Sequence, residues 1–232
     1  GAQSHAHPGP GSRLVNSPTR ILVFPGATEI GLEINRALGG RKEVELVSAS
    51  SVDSCHGDSV YRTHVRTPAV DDDGWLNALN AVVDEHRIDL IYPAHDDVVL
   101  ALAEHAGELH AGVVGSPLEV CRLARSKTAT YERLSGVVPV PKVFTGHSGL
   151  EYPVFVKPDR GQGSQGASVV HRESDLAAAL DAAGEAVVTE YLPGDEFTVD
   201  CFSDRETGLL FASARSRIRT RAGIAMACVR DD

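Results

Sequence analysis

Residues 151–170 of the 232-residue chain read EYPVFVKPDRGQGSQGASVV. An apolar run ends at Lys157, glycines follow at Gly161, Gly163 and Gly166, and a second apolar run begins. A dinucleotide-binding loop of this spacing would lead into a helix, but a strand pattern follows the last glycine. A Walker loop would carry its lysine after the glycines, whereas this lysine precedes them. The stretch therefore predicts a hairpin in which a flexible glycine loop joins two strands.

The lysine and the glycine loop together are suited to holding an anion. Glycines allow backbone N–H groups to approach an anion closely. A lysine at the end of a strand adds a compensating positive charge. The alternative is a mobile surface hairpin with a solvated lysine, and this stretch alone does not decide between the two.

Composition indicates an ordinary globular chain of one to two domains. Hydrophobic residues make up 42% and charged residues 23% of the chain, and its net charge is −10. The acidic balance argues against duplex nucleic acid or an anionic membrane as the main partner, and no apolar run is long enough to span a membrane. The four cysteines show neither metal-ligand spacing nor a disulfide framework. We expect reduced cysteines, mostly in the core, in a cytoplasmic protein.

The first half of the chain predicts a tail followed by an open α/β domain. Residues 1–19 are rich in Gly, Pro, Ser and His and are expected to be a disordered tail. Over residues 20–115, short apolar runs alternate with amphipathic helical patterns, which indicates βαβ units and a parallel sheet. The turn PGATEIG after the first strand has only two glycines, so dinucleotide binding there is not expected.

The second half predicts a mixture of helices and strands. Ser116 and Ser126 are expected to cap two helices, the second running from Lys127 to about Ser135. Further along, alternation places Glu196, Thr198 and Asp200 on one face of a strand. The predicted later elements are strands at 153–157, 167–171, 187–191 and 196–202, a helix from Ser174 to near Gly184, and two strands within 209–227.

Three linked stretches resemble the ATP-grasp superfamily, most closely its branch with carbamoyl-phosphate synthase large subunits and biotin carboxylase. They are RSKTATYERLSGVVPVP with Lys127, PVFVKPDRGQGSQG with Lys157, and TEYLPGDEFTVDCF with Glu190 and Glu196. The resemblance covers residues 20–232. It implies an α/β fold, with a Rossmann-like pre-ATP-grasp domain over 20–115 followed by an incomplete, α+β ATP-grasp domain over 116–232. Residues 148–190 would form its lid.

The resemblance also implies a nucleotide site. Lys127 and Lys157 would contact phosphates, Tyr191 and Leu192 would line the adenine, and Glu196 would hold the ribose. Glu190 would accept from the adenine amino group, directly or through its neighbours. The loop covering the triphosphate would consist of Gly161, Gln162, Gly163, Ser164 and Gly166.

The resemblance further implies that residues 93–97, at the end of another strand, would face the ATP site and help to hold the acceptor substrate. The alternative for these residues is a helix cap by Asp96.

Four arginines recur at every second position near the end of the chain. On a strand, Arg215, Arg217, Arg219 and Arg221 would share one face and repel one another, so we expect an anionic partner. That partner would be phosphate, an acidic substrate or protein carboxylates, and Arg215 and Arg217 are our candidates for catalysis. The alternative is a charged edge strand that resists aggregation.

One feature of the superfamily is missing from the sequence. A late Glu and an Asn–x–Arg segment would hold magnesium between the phosphates, but the last asparagine is Asn80 and only Glu206 follows Glu196 among glutamates. No metal ligand is therefore predicted, and we expect a fragment of a longer enzyme.

The implied activity is ATP-dependent ligation, in which a carboxylate or bicarbonate is activated as an acyl phosphate and attacked by an amine or another nucleophile. ATP and Mg²⁺ would be the cofactors and a small carboxylate-containing molecule the substrate, and the chain could form a homodimer. The alternative is a non-catalytic nucleotide-binding or regulatory subunit.

Overall fold

The computed structural model describes residues 17–53, 55–161, 163–204, 206–221 and 224–231. Residues 219–221, 224–226, 230 and 231 are described by their backbone alone. Most of the predicted tail, residues 1–16, lies outside the described residues. The chain divides between Arg122 and Leu123 into two compact units, called unit 1 and unit 2 here.

Unit 1 is built around a five-stranded sheet in the order β3-β2-β1-β4-β5, and every neighbouring pair in it is parallel. Strands and helices alternate along the chain, as predicted. The elements are β1 (Thr19–Phe24), α1 (Glu29–Leu38), β2 (Val44–Ser50), α2 (Gly57–Val60), β3 (His64–Arg66), α3 (Trp75–His86), β4 (Leu90–Pro93), α4 (Asp96–Glu104), β5 (Gly112–Val113) and α5 (Leu118–Arg125). The division between the units falls within α5, whose last three residues belong to unit 2.

The apolar pattern of unit 1 closes a core around its central strands. Leu22 of β1 and Ile91 of β4 are fully buried, together with Leu79 of α3. Side chains from α3 and α4 complete the same cluster, including Val82, Val83, Val98 and Leu102. Removing these apolar surfaces from water is the main stabilising term for such a unit.

Two of the helices in unit 1 begin at side-chain caps. The Thr28 hydroxyl accepts from the Gly31 N–H at 3.0 Å and starts α1. At the start of α4 the cap is His95, whose Nδ1 accepts from the Asp97 N–H at 3.3 Å. The expectation that Asp96 caps this helix is therefore wrong, because Asp96 is already the first helical residue.

Unit 2 contains two antiparallel sheets. The four-stranded sheet has the order β6-β9-β7-β8, and the three-stranded sheet has the order β10-β11-β12. After α6 (Lys127–Leu134), the elements are β6 (Val143–Phe144), β7 (Val154–Pro158), β8 (Ser168–Val170), a 3₁₀ turn (Glu173–Asp175), α7 (Leu176–Ala183), β9 (Ala186–Glu190), β10 (Phe197–Asp204), β11 (Gly208–Arg221) and β12 (Ile224–Asp231).

The two sheets of unit 2 differ in their burial. In the four-stranded sheet, Val154, Val156 and Val188 are buried against α7, which contributes Leu176 and Ala183. In the three-stranded sheet, Phe197 and Val199 of β10 are more than half exposed. The first sheet therefore has a core of its own.

All four cysteines are free thiols, as expected, but only Cys121 is buried. Cys55 and Cys228 are half-buried and Cys201 is exposed, so the expectation of mostly core cysteines is wrong. Within the described part of the chain, no helix has the length and apolar character required to cross a membrane.

Candidate functional site

The predicted hairpin is present in unit 2. β7 pairs with β8 in antiparallel register, with Val154 opposite Val170 and Val156 opposite Ser168. The glycine loop between them contains three residues with positive φ, namely Gly163 (62°), Ser164 (55°) and Gly166 (69°). Positive φ is uncommon outside glycine, so the loop backbone is held in a tightly turned form.

Gly166 is required at its position for two reasons. Besides its positive φ, a Cβ atom there would lie 3.0 Å from the Ala182 carbonyl oxygen and 3.1 Å from Cγ of Pro158. The end of the loop therefore rests directly on the last turn of α7 and on the end of β7. Gln162, also predicted to contact nucleotide, lies outside the described residues.

Lys157 extends from β7 toward α6. Its Nζ donates to the Tyr131 hydroxyl at 2.6 Å. The same nitrogen lies 5.2 Å from the ring centroid of Tyr131 and 5.3 Å from that of Phe155. The hydrogen bond to the Tyr131 hydroxyl and the attraction of the Phe155 ring fix the direction of the side chain.

Lys127 approaches the glycine loop from the first position of α6. Its Nζ donates to the carbonyl oxygens of Asp159 at 3.1 Å and Gly161 at 3.4 Å. Its backbone N–H also donates to the Asp159 carbonyl, at 3.2 Å. The start of α6 is capped by Ser126, as predicted, with its hydroxyl accepting from the Ala129 N–H at 3.1 Å.

Asp159 connects α6 to the loop and was not among the predicted site residues. It is only 7% exposed, and its carboxylate accepts from the Thr128 N–H at 2.7 Å. Burial by itself raises the pKa of this carboxyl, but hydrogen bonds from the Thr128 N–H and from the Thr128 and Ser126 hydroxyls, together with the Lys127 charge, outweigh burial. The pKa of Asp159 is therefore lowered and the group is held as a carboxylate.

The two lysines converge on one side of α6. Lys127 and Tyr131, the contact of Lys157, are four residues apart on this helix and so share a face. Two ammonium groups and a turned glycine loop thus meet at the end of β7. Such a set can attract a multiply charged anion and donate hydrogen bonds to its oxygens.

The segment after β9 leaves the four-stranded sheet with exposed side chains. Tyr191 is 38% and Leu192 is 62% exposed. Glu190, the last residue of β9, accepts from the Lys142 N–H at 2.8 Å through one carboxylate oxygen. One carboxylate oxygen of Glu190, the predicted adenine contact, is thus already hydrogen-bonded to the protein backbone.

The arginine stripe lies on β11, the middle strand of the three-stranded sheet. Arg215 pairs with Asp200 of β10 at 2.6 Å, and the Arg217 guanidinium contacts the Glu196 carboxylate. Of the predicted anionic partners, protein carboxylates are therefore present. The edge-strand interpretation is wrong because β11 has a neighbour on each side. The side chains of Arg219 and Arg221 lie outside the described residues.

The described residues do not provide a metal site of their own. Within the described ranges, no group of three or more His, Cys, Asp or Glu side chains could hold a metal ion. Asp159, Asp200 and Glu196 each face a cation or a hydrogen-bond donor of the protein instead.

Comparisons with known proteins agree with this arrangement. Residues 124–227 match a family described as ATP-grasp domain. The chain is 29% identical to phosphoribosylamine–glycine ligase of Agrobacterium fabrum over 121 residues, covering 48% of this chain and 28% of the relative. It is 26% identical to D-alanine–D-alanine ligase of Xylella fastidiosa over 207 residues, covering 80% of this chain and 62% of the relative.

A similar solved structure is the biotin carboxylase domain of Hydrogenobacter thermophilus 2-oxoglutarate carboxylase, in complex with MgADP, ADP and bicarbonate. The TM-score is 0.67 at 17% identity, over 88% of this chain and 51% of that one. The chain thus spans less than two thirds of the length of each of these relatives. The predicted fold class and the predicted resemblance to the ATP-grasp superfamily are confirmed: residues 124–227 match an ATP-grasp domain, and the solved structures share the fold.

Proposed function

We propose that unit 2 binds ATP and that the chain serves an ATP-dependent ligase, which activates a carboxylate or bicarbonate as an acyl phosphate for attack by an amine or another nucleophile. The observation that carries this proposal is the convergence of Lys127 and Lys157 with the glycine loop at the end of β7. The ligases among its relatives support the reaction class.

Lys157 is the side chain best suited to a phosphate contact. Among the described residues its ammonium group has the Tyr131 hydroxyl and the Phe155 ring as neighbours and no carboxylate. An ammonium group has three donors, so two of them are left for phosphate oxygens. Its partial burial strengthens the attraction because solvent screening is reduced.

Lys127 and Asp159 have complementary roles in this proposal. The Asp159 carboxylate holds the first turn of α6 through the Thr128 N–H, and its backbone carbonyl holds the Lys127 ammonium group. The loop and the helix are thereby tied together before a ligand enters. A pre-organised site of this kind reduces the entropy that must be lost on binding.

The remaining parts of the nucleotide would extend along the chain toward β10. Tyr191 and Leu192 would line the adenine with their exposed surfaces, and Glu190 would accept from its amino group. Glu196 would hold the ribose through carboxylate surface that its contact with Arg217 leaves accessible, since its side chain is 65% exposed.

Arg215 and Arg217 are proposed as fixed cations beside the transferred phosphoryl group. Their guanidinium groups are oriented by Asp200 and Glu196, which limits the reorganisation needed as charge develops. Mg²⁺ would enter bound to the nucleotide. The described residues do not fit a separate magnesium site, so we assign no reaction step to the metal.

The alternative is a nucleotide-binding protein without catalysis, which the lack of a metal cluster in the described residues favours. Exchange of labelled ADP into ATP distinguishes the two, measured with a panel of carboxylic acids and bicarbonate. The assay uses the 232-residue chain and, where the natural gene continues beyond Asp232, its full product.

For a ligase we expect exchange that depends on one particular acid. The 232-residue chain itself is expected to bind ATP without turning it over at an enzyme-like rate, because the described residues offer no group that would fix the metal between donor and acceptor. ATP binding without exchange by either protein would favour the non-catalytic alternative. Acid-dependent exchange by the short chain would reveal a metal site that we have not identified.

A further inference from the structure

A cluster of nucleophilic and basic side chains lies in unit 1, whereas the two lysines and the glycine loop belong to unit 2. It is formed by Ser48 and Ser50 at the end of β2, Cys55 in the following segment, and His64 at the start of β3. Both serines are fully buried, whereas Cys55 and His64 are half-buried. The imidazole therefore contacts buried hydroxyl groups, and the thiol is partly accessible to solvent.

The His64 ring is held at both nitrogens. Nδ1 lies 2.8 Å from the Ser48 hydroxyl, and Nε2 lies 3.1 Å from the Ser50 hydroxyl. The Cys55 sulfur lies 3.5 Å from the same Nε2, within hydrogen-bond distance for sulfur. A thiol beside an imidazole nitrogen is the arrangement in which a neighbouring base activates a nucleophile.

Two glycines make room for this cluster. A Cβ atom at Gly57 would lie 2.6 Å from Cε1 of His64 and 3.2 Å from the Cys55 sulfur. A Cβ atom at Gly26 would lie 1.8 Å from the Ser48 hydroxyl oxygen. Larger residues at either position would force the ring or the serine to move, so the close packing of the cluster depends on both glycines.

We propose that Cys55 is a reactive thiol, activated by His64, that undergoes thiol–disulfide exchange with small disulfides. The Cys55 proton passes to His64 Nε2 as the sulfur attacks one sulfur of the disulfide. A new S–S bond forms to Cys55, the old S–S bond breaks, and the leaving thiolate takes the proton back from the ring. The products are a mixed disulfide and a free small thiol, so no other oxidant is needed.

The neighbours of His64 can stabilise the ring after it has accepted the proton. The doubly protonated ring has two N–H donors. Nδ1 donates to the Ser48 oxygen and Nε2 to the Ser50 oxygen, whose own hydroxyl proton can point to the Val52 carbonyl at 3.4 Å. The cluster therefore supplies an acceptor for each new donor, which favours the transfer.

The position of the cluster in the sheet also favours contact with small molecules. β2 and β3 are parallel, and Ser50 lies at the carboxyl end of β2. Ligands of open parallel sheets bind at this edge. Exposure alone would instead make Cys201 the most reactive thiol, because it is the exposed cysteine of the four.

The test is competitive labelling of the folded 232-residue chain with limiting oxidised glutathione, and separately with limiting iodoacetamide, with all four cysteines quantified by mass spectrometry. We expect Cys55 to react at least about tenfold faster than Cys201, because His64 can take the Cys55 proton as the sulfur attacks. His64→Gln removes the base but keeps hydrogen-bonding atoms in place. It is expected to bring Cys55 to the rate of Cys201 or below, with the rate of Cys201 unchanged.

Gly57→Ala is the second variant, because it keeps the histidine and displaces its ring. It should lower the Cys55 rate at least about threefold, as expected when proton-transfer geometry is disturbed. If wild-type Cys55 reacts no faster than Cys201, the proposal is overturned whether or not the variants fold. The same holds if His64→Gln folds with an unchanged melting temperature and retains fast labelling at Cys55.

Discussion

The two sheets of unit 2 are both antiparallel, but only one covers its apolar side chains. In the four-stranded sheet Val154 and Val156 are fully buried, with α7 packed against them. In the three-stranded sheet the apolar face includes Phe197, Val199 and Ile218, each more than half exposed. Antiparallel pairing therefore accompanies a closed core in one sheet and an open apolar face in the other.

The difference shows what alternation in a strand can and cannot determine. Alternation decides which residues share a face: Glu196 and Asp200, predicted to lie on one face, both contact arginines of the stripe. What covers the other face depends on a second layer. α7 supplies that layer for the sheet that carries Lys157 and the glycine loop, so the proposed phosphate site rests on the better packed of the two sheets.

A matched pair of substitutions tests the contrast most strongly. Val156→Asp places a charge in the core of the four-stranded sheet and is expected to lower the free energy of unfolding by about 3–5 kcal/mol. Val199→Asp introduces the same charge on the open face, where Val199 is 58% exposed, and is expected to cost less than about 1 kcal/mol. Chemical denaturation followed by circular dichroism measures both. Equal losses for the two variants would contradict the contrast.

The carboxylates of the two regions should also differ in their effect on stability. Asp159→Asn removes a buried carboxylate that accepts from the Thr128 N–H, at an expected cost of about 1–3 kcal/mol. Asp200→Asn removes an exposed partner of Arg215 and should cost at most about 1 kcal/mol. Denaturant midpoints of the two variants, measured at neutral pH, give the comparison.

The contribution of Asp159 should depend on pH in a defined direction. Because its pKa is lowered in the folded chain, its stabilisation is fully present above the pKa of the unfolded chain, about 4. It is lost as the pH falls below that value and through the lower folded-state pKa. Stability curves of wild type and Asp159→Asn should therefore converge on acidification. A constant difference down to low pH would show that the carboxylate is not the cause.

The smallest expected difference between matched variants concerns the two hairpin glycines. Gly166, in the glycine loop, and Gly208, the first residue of β11, both have positive φ, but of the two only Gly166 has close contacts around a Cβ position. Alanine at either site should cost about 1–2 kcal/mol of backbone strain, and Gly166→Ala should cost more than Gly208→Ala because of the nearby Ala182 carbonyl. Melting temperatures in the reverse order would argue against the close packing of the loop.

Much of the local structure could be predicted from the sequence. The lysine at the end of β7, the glycine loop and the strand after it follow from residue types and spacing, and Ser126 was correctly identified as a cap. The central position of β11 could not be predicted. Strand order depends on contacts between distant residues, so the arginines were equally compatible with an edge strand.

The part of the candidate site that was missed lies between its predicted members. Asp159 follows Lys157 and Pro158 directly. A carboxylate repels phosphate, so its residue type did not suggest a place in a phosphate site. Its role depends on the approach of α6, more than 30 residues earlier in the chain, which only the tertiary structure reveals. The one sequence feature that could have pointed to Asp159 is its position as a charged residue between a strand and the glycine loop.

The central claim is that Lys157 and the glycine loop bind the phosphates of ATP. Calorimetric titration of wild type and Lys157→Ala with ATP and with adenosine tests it, with Arg172→Ala as a control that removes an exposed positive charge from the same unit. Loss of a charge-assisted contact should cost about 1.5–3 kcal/mol, or roughly 10- to 150-fold in ATP affinity. Adenosine affinity should change by less than about threefold, because adenosine has no phosphate to contact the lysine. Unchanged ATP affinity in Lys157→Ala, or equal losses for ATP and adenosine, would contradict the account.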